Sequence, residues 1–147
     1  MAKAYLRQAE ARIRTAERAL KEGNYPYSVR QAQEAVELSL KAVLRLVGIE
    51  PPKWHDVGPI LRKNRNRFPN WFRELIDELA FISRQLRRER EVSMYGDEEM
   101  GIPPNHIYNK FDAEKYLEAA KKVYESCQKL FNEVVNRILE GNISPSS

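Results

Sequence analysis

Two basic clusters dominate the chemistry that this sequence could perform: RKNRNR, from Arg62 to Arg67, and RQLRRER, from Arg84 to Arg90. A guanidinium is planar, permanently charged and forked, so its natural ligand is the edge of a phosphate or a carboxylate. A phosphate, if the protein binds one, belongs between Arg62 and Arg90, and a solvated charge face is the competing reading of the same residues. Around the second cluster, Phe72, Leu75, Ile76, Leu79, Ile82 and Leu86 recur at steps of three and four and predict a helix starting near Pro69 or Asn70. Projected at about 100° per residue, Arg90 lies in line with Phe72, on the apolar side. Arg84, Arg88 and Tyr95 project from a different face, with Asp77 and Glu91. An arginine on the apolar side must find a carboxylate, carbonyl groups or a cleft, because an unpaired buried charge is costly.

Many chemistries are excluded early. The chain has no phosphate-cradling glycine loop, zinc-ligand spacing, nucleophile elbow or metalloprotease helix. Neither a metal nor a cofactor is expected. His55 has no second ligand at helical spacing and reads as structural. Cys127, the single cysteine, falls on an apolar helical face and reads as a small core residue. The net charge of +4 permits an anionic partner without demanding one.

The elements that must position these residues are helical. In 147 residues, 42% hydrophobic and 31% charged, strand-like alternation is absent. The expectation is one all-α domain over residues 1–141, with a frayed tail at 142–147. No run approaches the roughly 18 apolar residues of a membrane span, and MAKAYLRQAEAR lacks the apolar core of a signal peptide, so the expected location is the cytoplasm.

The segment from Tyr27 to Val47 is central. Val29, Ala32, Val36, Leu40, Val43 and Val47 form one face, and Ala35, Leu38, Ala42 and Leu46 spread apolar surface around the rest. Only Arg30, Glu34, Glu37 and Lys41 interrupt it, as a row that either pairs with itself at the rim or faces a cleft or a second subunit. Before it, a helix from about Ala2 to Lys21 uses Tyr5, Ala9, Ile13, Ala16 and Leu20. Gly23 suits the turn, Asn24 is placed to cap the next helix and Pro26 fits its first turn. Gly48 ends the central helix, and paired prolines stiffen the connection to a short segment, Val57 to Leu61, capped by His55 or Asp56. Gly96 ends the arginine helix. A proline-bearing loop with His106 and Tyr108 follows, and Asp112 is placed to cap a last helix built on Tyr116, Ala120, Val123, Cys127, Phe131, Val134 and Ile138, until Gly141. The abundance of Arg, Lys and Glu, with prolines in loops, would suit a thermophile.

The order of YLRQAEARIRTAERAL, GNYPYSV, RQAQEAVELSLKAVL, HDVGPIL and an arginine-rich helix closing on Tyr95 and Gly96 resembles the prokaryotic HEPN domain family over nearly the whole chain. The resemblance implies an up-and-down bundle of four main helices plus a short one. It also implies a homodimer, frequently paired with a minimal nucleotidyltransferase in toxin-antitoxin-type systems, that acts as a metal-independent ribonuclease or binds nucleotide or RNA. On that reading Arg84, Arg88 and Arg90 hold phosphate, and Tyr95 orients it or stacks on a base.

The family's ribonuclease motif is an arginine, about four to six residues, and a histidine, often with a tyrosine two places on. Here Ser93 takes the histidine position after Arg88, with Tyr95 following; alternatively Arg90 leads directly to Tyr95. Neither register has a histidine, and serine or tyrosine at an ordinary pKa is a poor proton carrier near neutrality. The catalytic candidates are therefore Ser93, Tyr95 and, from the loop or a second subunit, His106. A helical protein-interaction module without a ligand is the remaining alternative.

Overall fold

A helix that carries apolar side chains around most of its surface needs neighbours around most of its surface, and the helix over Tyr25–Leu46 has them. A computed structural model describes residues 1–53 and 56–140. Its four main helices are α1 (Ala2–Lys21), α2 (Tyr25–Leu46), α5 (Ile76–Tyr95) and α7 (Lys110–Leu139), and α2 packs against the other three. Among the described residues there is no strand, only a single bridge in a loop, and no helix is long and apolar enough to cross a membrane.

Val29, Ala32, Val36, Leu40 and Val43 of α2 are buried, whereas Val47 lies beyond the last turn and is half-buried. Ala32, Val36, Leu40 and Val43 share one core with Leu6, Ile13 and Ala16 of α1, whose Ala9 and Ala19 are also buried, while Val29 packs with Tyr108 and Ala113. Small residues let the two backbones approach, and Ser28 donates across the interface to the Ala16 carbonyl at 2.9 Å. The turn between them depends on Gly23, whose φ of +78° lets Asn24 N–H reach the Ala19 carbonyl at 2.8 Å. Asn24 occupies the cap position without a side-chain capping bond, contrary to expectation, and Pro26 stands in the first turn.

The remaining chain contains more short helices than the one expected. α3 (Gly58–Lys63) begins where the Asp56 carboxylate accepts from Gly58 N–H at 3.1 Å and from the Ser83 hydroxyl at 2.8 Å. One carboxylate thus fastens α3 to α5. After a 3-10 turn, α4 (Asn70–Arg73) stops and α5 restarts at Ile76, so the expected single helix is broken. A bond from Leu75 N–H to the Phe72 carbonyl tightens the step, and the stripe from Phe72 to Leu86 still reaches the core. α6 (Pro104–Ile107) is the third short helix.

α7 is capped by Asn109 rather than Asp112. Asn109 Oδ1 accepts from Asp112 N–H at 2.9 Å, and Asp112 Oδ2 accepts from Asn109 N–H at 3.0 Å, so Asp112 is the third-position member of a capping box. Its buried face runs through Ala113, Leu117, Ala120, Val123, Cys127 and Leu130. Relative to the expected stripe, Leu117 and Leu130 replace Tyr116 and Phe131 at full burial, and Ile138 is exposed. Burial pushes the Cys127 thiol pKa well up, which leaves it inert packing. The expectations for His55, Gly141 and the tail 142–147 concern residues outside the described set.

Candidate functional site

The last turns of α5 run antiparallel to the first half of α2, and this alignment decides which arginines meet. Arg87 Nη1 lies 3.0 Å from Glu37 Oε1. One turn on, Arg90 Nη1 lies 3.0 Å from Gln33 Oε1 and 3.3 Å from Glu34 Oε1, while Glu34 Oε2 pairs with Arg12 of α1 at 3.2 Å. The polar row of α2 is therefore not paired along itself: its two acids reach cations on other helices. Arg90, projected to the apolar side, finds the carboxylate such a position requires.

Arg87 and Arg90 are only about half sequestered, with side chains 40% and 39% exposed. With Lys53 and Tyr95 they line a hollow of about 420 Å³, to which Glu37 and Glu91 contribute two carboxylates. Both Arg90 contacts run from one nitrogen of a group with five N–H donors. The hollow can thus hold an anionic oxygen without breaking the existing pair.

The structure does not bring Arg84 and Arg88 to this place. Both are exposed on the outer side of α5, where Arg84 lies 6.0 Å from the centre of the Phe81 ring. Arg87, absent from the residues singled out by sequence, takes their position. A signal for it existed: Glu34 and Glu37 stand three apart on α2, as do Arg87 and Arg90 on α5, which is the complementary spacing for antiparallel neighbours. The first basic cluster serves the fold instead. Arg62 and Arg65 reach Asp77 at 3.3 and 3.0 Å, Arg67 donates to the Val47 carbonyl, and Arg73 donates to the carbonyls of Arg65 and Phe68. Hydrogen bonds from Arg65 and then Arg62 hold the Asp77 carboxyl below the usual range.

The catalytic candidates separate. Ser93 is fully buried, and its hydroxyl donates to the Arg90 carbonyl at 2.7 Å within its own helix. Tyr95, 59% exposed, stands between the basic hollow and a second one of about 620 Å³. His106 lines that second hollow together with Glu91, Asp97, Glu98 and Glu99. Its wall is the chain after α5, folded back by an antiparallel bridge from Asp97 to Ile102 with bonds of 2.8 and 2.9 Å. Gly96 allows the reversal, with φ at +72° and no room for a side chain, since a Cβ would come within 2.2 Å of the Ile102 carbonyl oxygen.

Glu89 anchors the far end of this wall. The buried Tyr108 hydroxyl donates to the Glu89 carboxylate, and burial followed by this bond drives the phenol pKa well up. Burial, then the Glu89 charge, pushes Tyr116 to about 12. Neither tyrosine can exchange protons near neutrality. Among the described residues, no three His, Cys, Asp or Glu side chains stand together to hold a metal ion.

Comparison with known proteins gives the architecture a lineage. The crystal structure of TT1696 from Thermus thermophilus shares the fold, with a TM-score of 0.70 and 23% identity, covering 87% of this chain and 96% of that one. No curated protein matches the chain. The model of the HEPN domain matches residues 2–130, through α1, α2, α5 and most of α7, and the chain belongs to the HEPN domain family.

Proposed function

We propose that this HEPN domain acts as a homodimer that binds a nucleotide or RNA phosphate in the hollow at the end of α5, with a minimal nucleotidyltransferase as its partner in a toxin-antitoxin-type pair. The observation that carries the binding reading is the convergence of Arg87, Arg90 and Lys53 on one concave surface with an exposed tyrosine at its lip. Arg90 supplies a charge-assisted bond, Arg87 and Lys53 add charge, and Tyr95 stacks on a base. Arg84 and Arg88 extend the positive field along the outer face of α5 rather than touching the phosphate. Homodimer and partner rest on the family resemblance.

One observation favours a second reading, a helical interaction module without a ligand: Glu34 and Glu37 already engage Arg90 and Arg87. Ribonuclease activity has weaker support, because Ser93 is buried and His106 stands among carboxylates that repel a phosphodiester. Calorimetry with ATP, GTP and a short single-stranded RNA separates the three readings. Binding that Arg90→Ala weakens about tenfold, the loss of roughly one charge-assisted bond, supports the proposal. No heat with any of the three leaves the interaction module. RNA cleavage in chelator that His106→Ala abolishes would establish the ribonuclease. Sedimentation of the full chain at micromolar concentration tests the dimer.

A further inference from the structure

The hollow framed by α2 and α5 is lined by charged side chains, by Met94 and Tyr95, and by one amide, that of Gln33. Gln33 is 4% exposed, and a polar side chain so placed is costly unless its donors and acceptors are matched. Only half of this amide is matched. Oε1 accepts from Arg90 Nη1 at 3.0 Å. Among the described residues nothing accepts from Nε2, because Glu37, one turn on along α2, gives its Oε1 to Arg87 at 3.0 Å instead. Nor is Nε2 sealed in the interior, as the partnerless Trp71 Nε1 and Glu133 Oε2 are; it keeps its opening onto the hollow.

Chemistry fixes the direction of the amide. A guanidinium has donors and no acceptor, so the oxygen of Gln33 must face Arg90 and the NH2 group must face away from it. Arg90 meets Gln33 and Glu34 with a single nitrogen, which leaves the other N–H groups of its fork unspent. Two sets of free donors, one neutral and one cationic, thus border the same concave surface. Their common complement is a group that only accepts, an oxyanion.

We infer that Gln33 is a ligand-binding residue of this hollow: it orients Arg90 through Oε1 and donates from Nε2 to an oxygen of the same phosphate that Arg90 holds. The inference rests on the reading of the hollow as a phosphate site and adds to it a neutral contact. Its neutrality has a physical reason. Lys53, Arg87 and Arg90 are set against Glu37 and Glu91 in the lining, and Glu34 draws further on Arg90. A carboxylate in place of the amide would also hold Arg90 but would cancel the remaining positive charge. A lysine there would offer Arg90 no acceptor and would repel it. An amide accepts on one side and donates on the other at no cost in charge. Because Gln33 and Glu34 already hold Arg90, its guanidinium has less freedom to lose when the ligand arrives, which favours binding.

The test uses the full chain and two substitutions. Gln33→Glu keeps the shape and the acceptor for Arg90 but exchanges the N–H donor for a second carboxylate oxygen, and Gln33→Met fills the space with neither. The Gln33 side-chain amide resonances, assigned by their loss in both variants, are followed by NMR as ATP or inorganic phosphate is added, with potassium chloride at equal ionic strength as control. The expected result is a saturable shift with ATP and with phosphate but not with chloride. In calorimetry Gln33→Met should weaken ATP binding about tenfold, the loss of one hydrogen bond to a charged group, and Gln33→Glu should weaken it further. A purely structural role would lower the melting temperature of Gln33→Met and leave the amide resonances of the unaltered chain unmoved by ligand. ATP binding that ignores both substitutions, or that leaves those resonances in place, overturns the role of Gln33 while the hollow stands as the site. No binding of ATP, GTP or RNA to the unaltered chain removes the phosphate reading itself, and this inference with it.

Discussion

The two hollows at the end of α5 share Tyr95 and Glu91 and differ in almost everything else. One is framed by two long helices and carries Lys53, Arg87 and Arg90 against two carboxylates. The other is framed by a short folded-back segment and sets His106 among four carboxylates. The groups suited to holding an anion and the histidine suited to moving protons thus face environments of opposite sign. A ribonuclease needs both on one substrate, and this chain alone divides them. The division is built into the fold, because the basic side is fixed by helix pairing and the acidic side by a glycine turn and a tyrosine anchor.

The largest expected effect tests whether the basic hollow alone holds the anion. Arg87→Ala with Arg90→Ala should weaken nucleotide or RNA binding about thirtyfold, on the order of 2 kcal/mol, for the one charge-assisted contact of Arg90 and the nearby charge of Arg87. Arg84→Ala with Arg88→Ala should stay within about threefold, because exposed charges act only through a screened field. Calorimetry at matched salt measures both. Equal losses from the two pairs would erase the distinction between the inner and outer faces of α5. Thermal unfolding should change little in either, since the ion pairs of Arg87 and Arg90 are two-fifths exposed on the arginine side and such pairs contribute about 1 kcal/mol or less.

The next effect concerns the wall of the acidic hollow. Gly96→Ala forces a side chain onto a φ of +72° and against a backbone carbonyl that cannot swing aside. A loss of about 2 kcal/mol or more is expected in urea unfolding, from strain and from the broken Asp97 to Ile102 bridge. Anion binding in the basic hollow should survive, because α2 and α5 frame it without that segment. If both are lost together, the two hollows form one cooperative unit.

Helical periodicity made the main architecture legible, since each long helix must hide a stripe and α2 must hide most of itself. Gly23, Gly48 and Gly96 marked helix ends for the same local reason, and all three take positive φ. Short-range competition was harder to read. The break after Arg73 depends on one tightened turn, and Asn109 and Asp112 are both good caps, so only the backbone path decides between them. At the site, projection put Arg90 on the side that meets α2 and put Arg84 and Arg88 on another face, but that Arg87 joins Arg90 shows only once their three-residue spacing is matched to Glu34 and Glu37 across the helix pair. Ser93 illustrates the same limit, because a position in a motif does not reveal that a hydroxyl is turned onto its own helix. His106 could be associated with Tyr95, but the acids around it come from a fold-back that only Gly96 hinted at.

The smallest effect is the sharpest test of separateness. Glu98 and Glu99 are exposed, and they line the second hollow without lining the first. Their charges therefore reach a phosphate on the basic side only through solvent, where screening is strong beyond about 8 Å at physiological salt. Glu98→Gln with Glu99→Gln should tighten anion binding about twofold at low salt, and the gain should vanish at about 0.5 M salt, because a remote field is screened and a contact is not. Calorimetric titrations at the two salt concentrations measure it. A gain of tenfold or more that persists in salt would mean that the ligand touches these carboxylates. The two hollows would then be halves of one site, with Tyr95 at its centre and His106 within reach of the same phosphate.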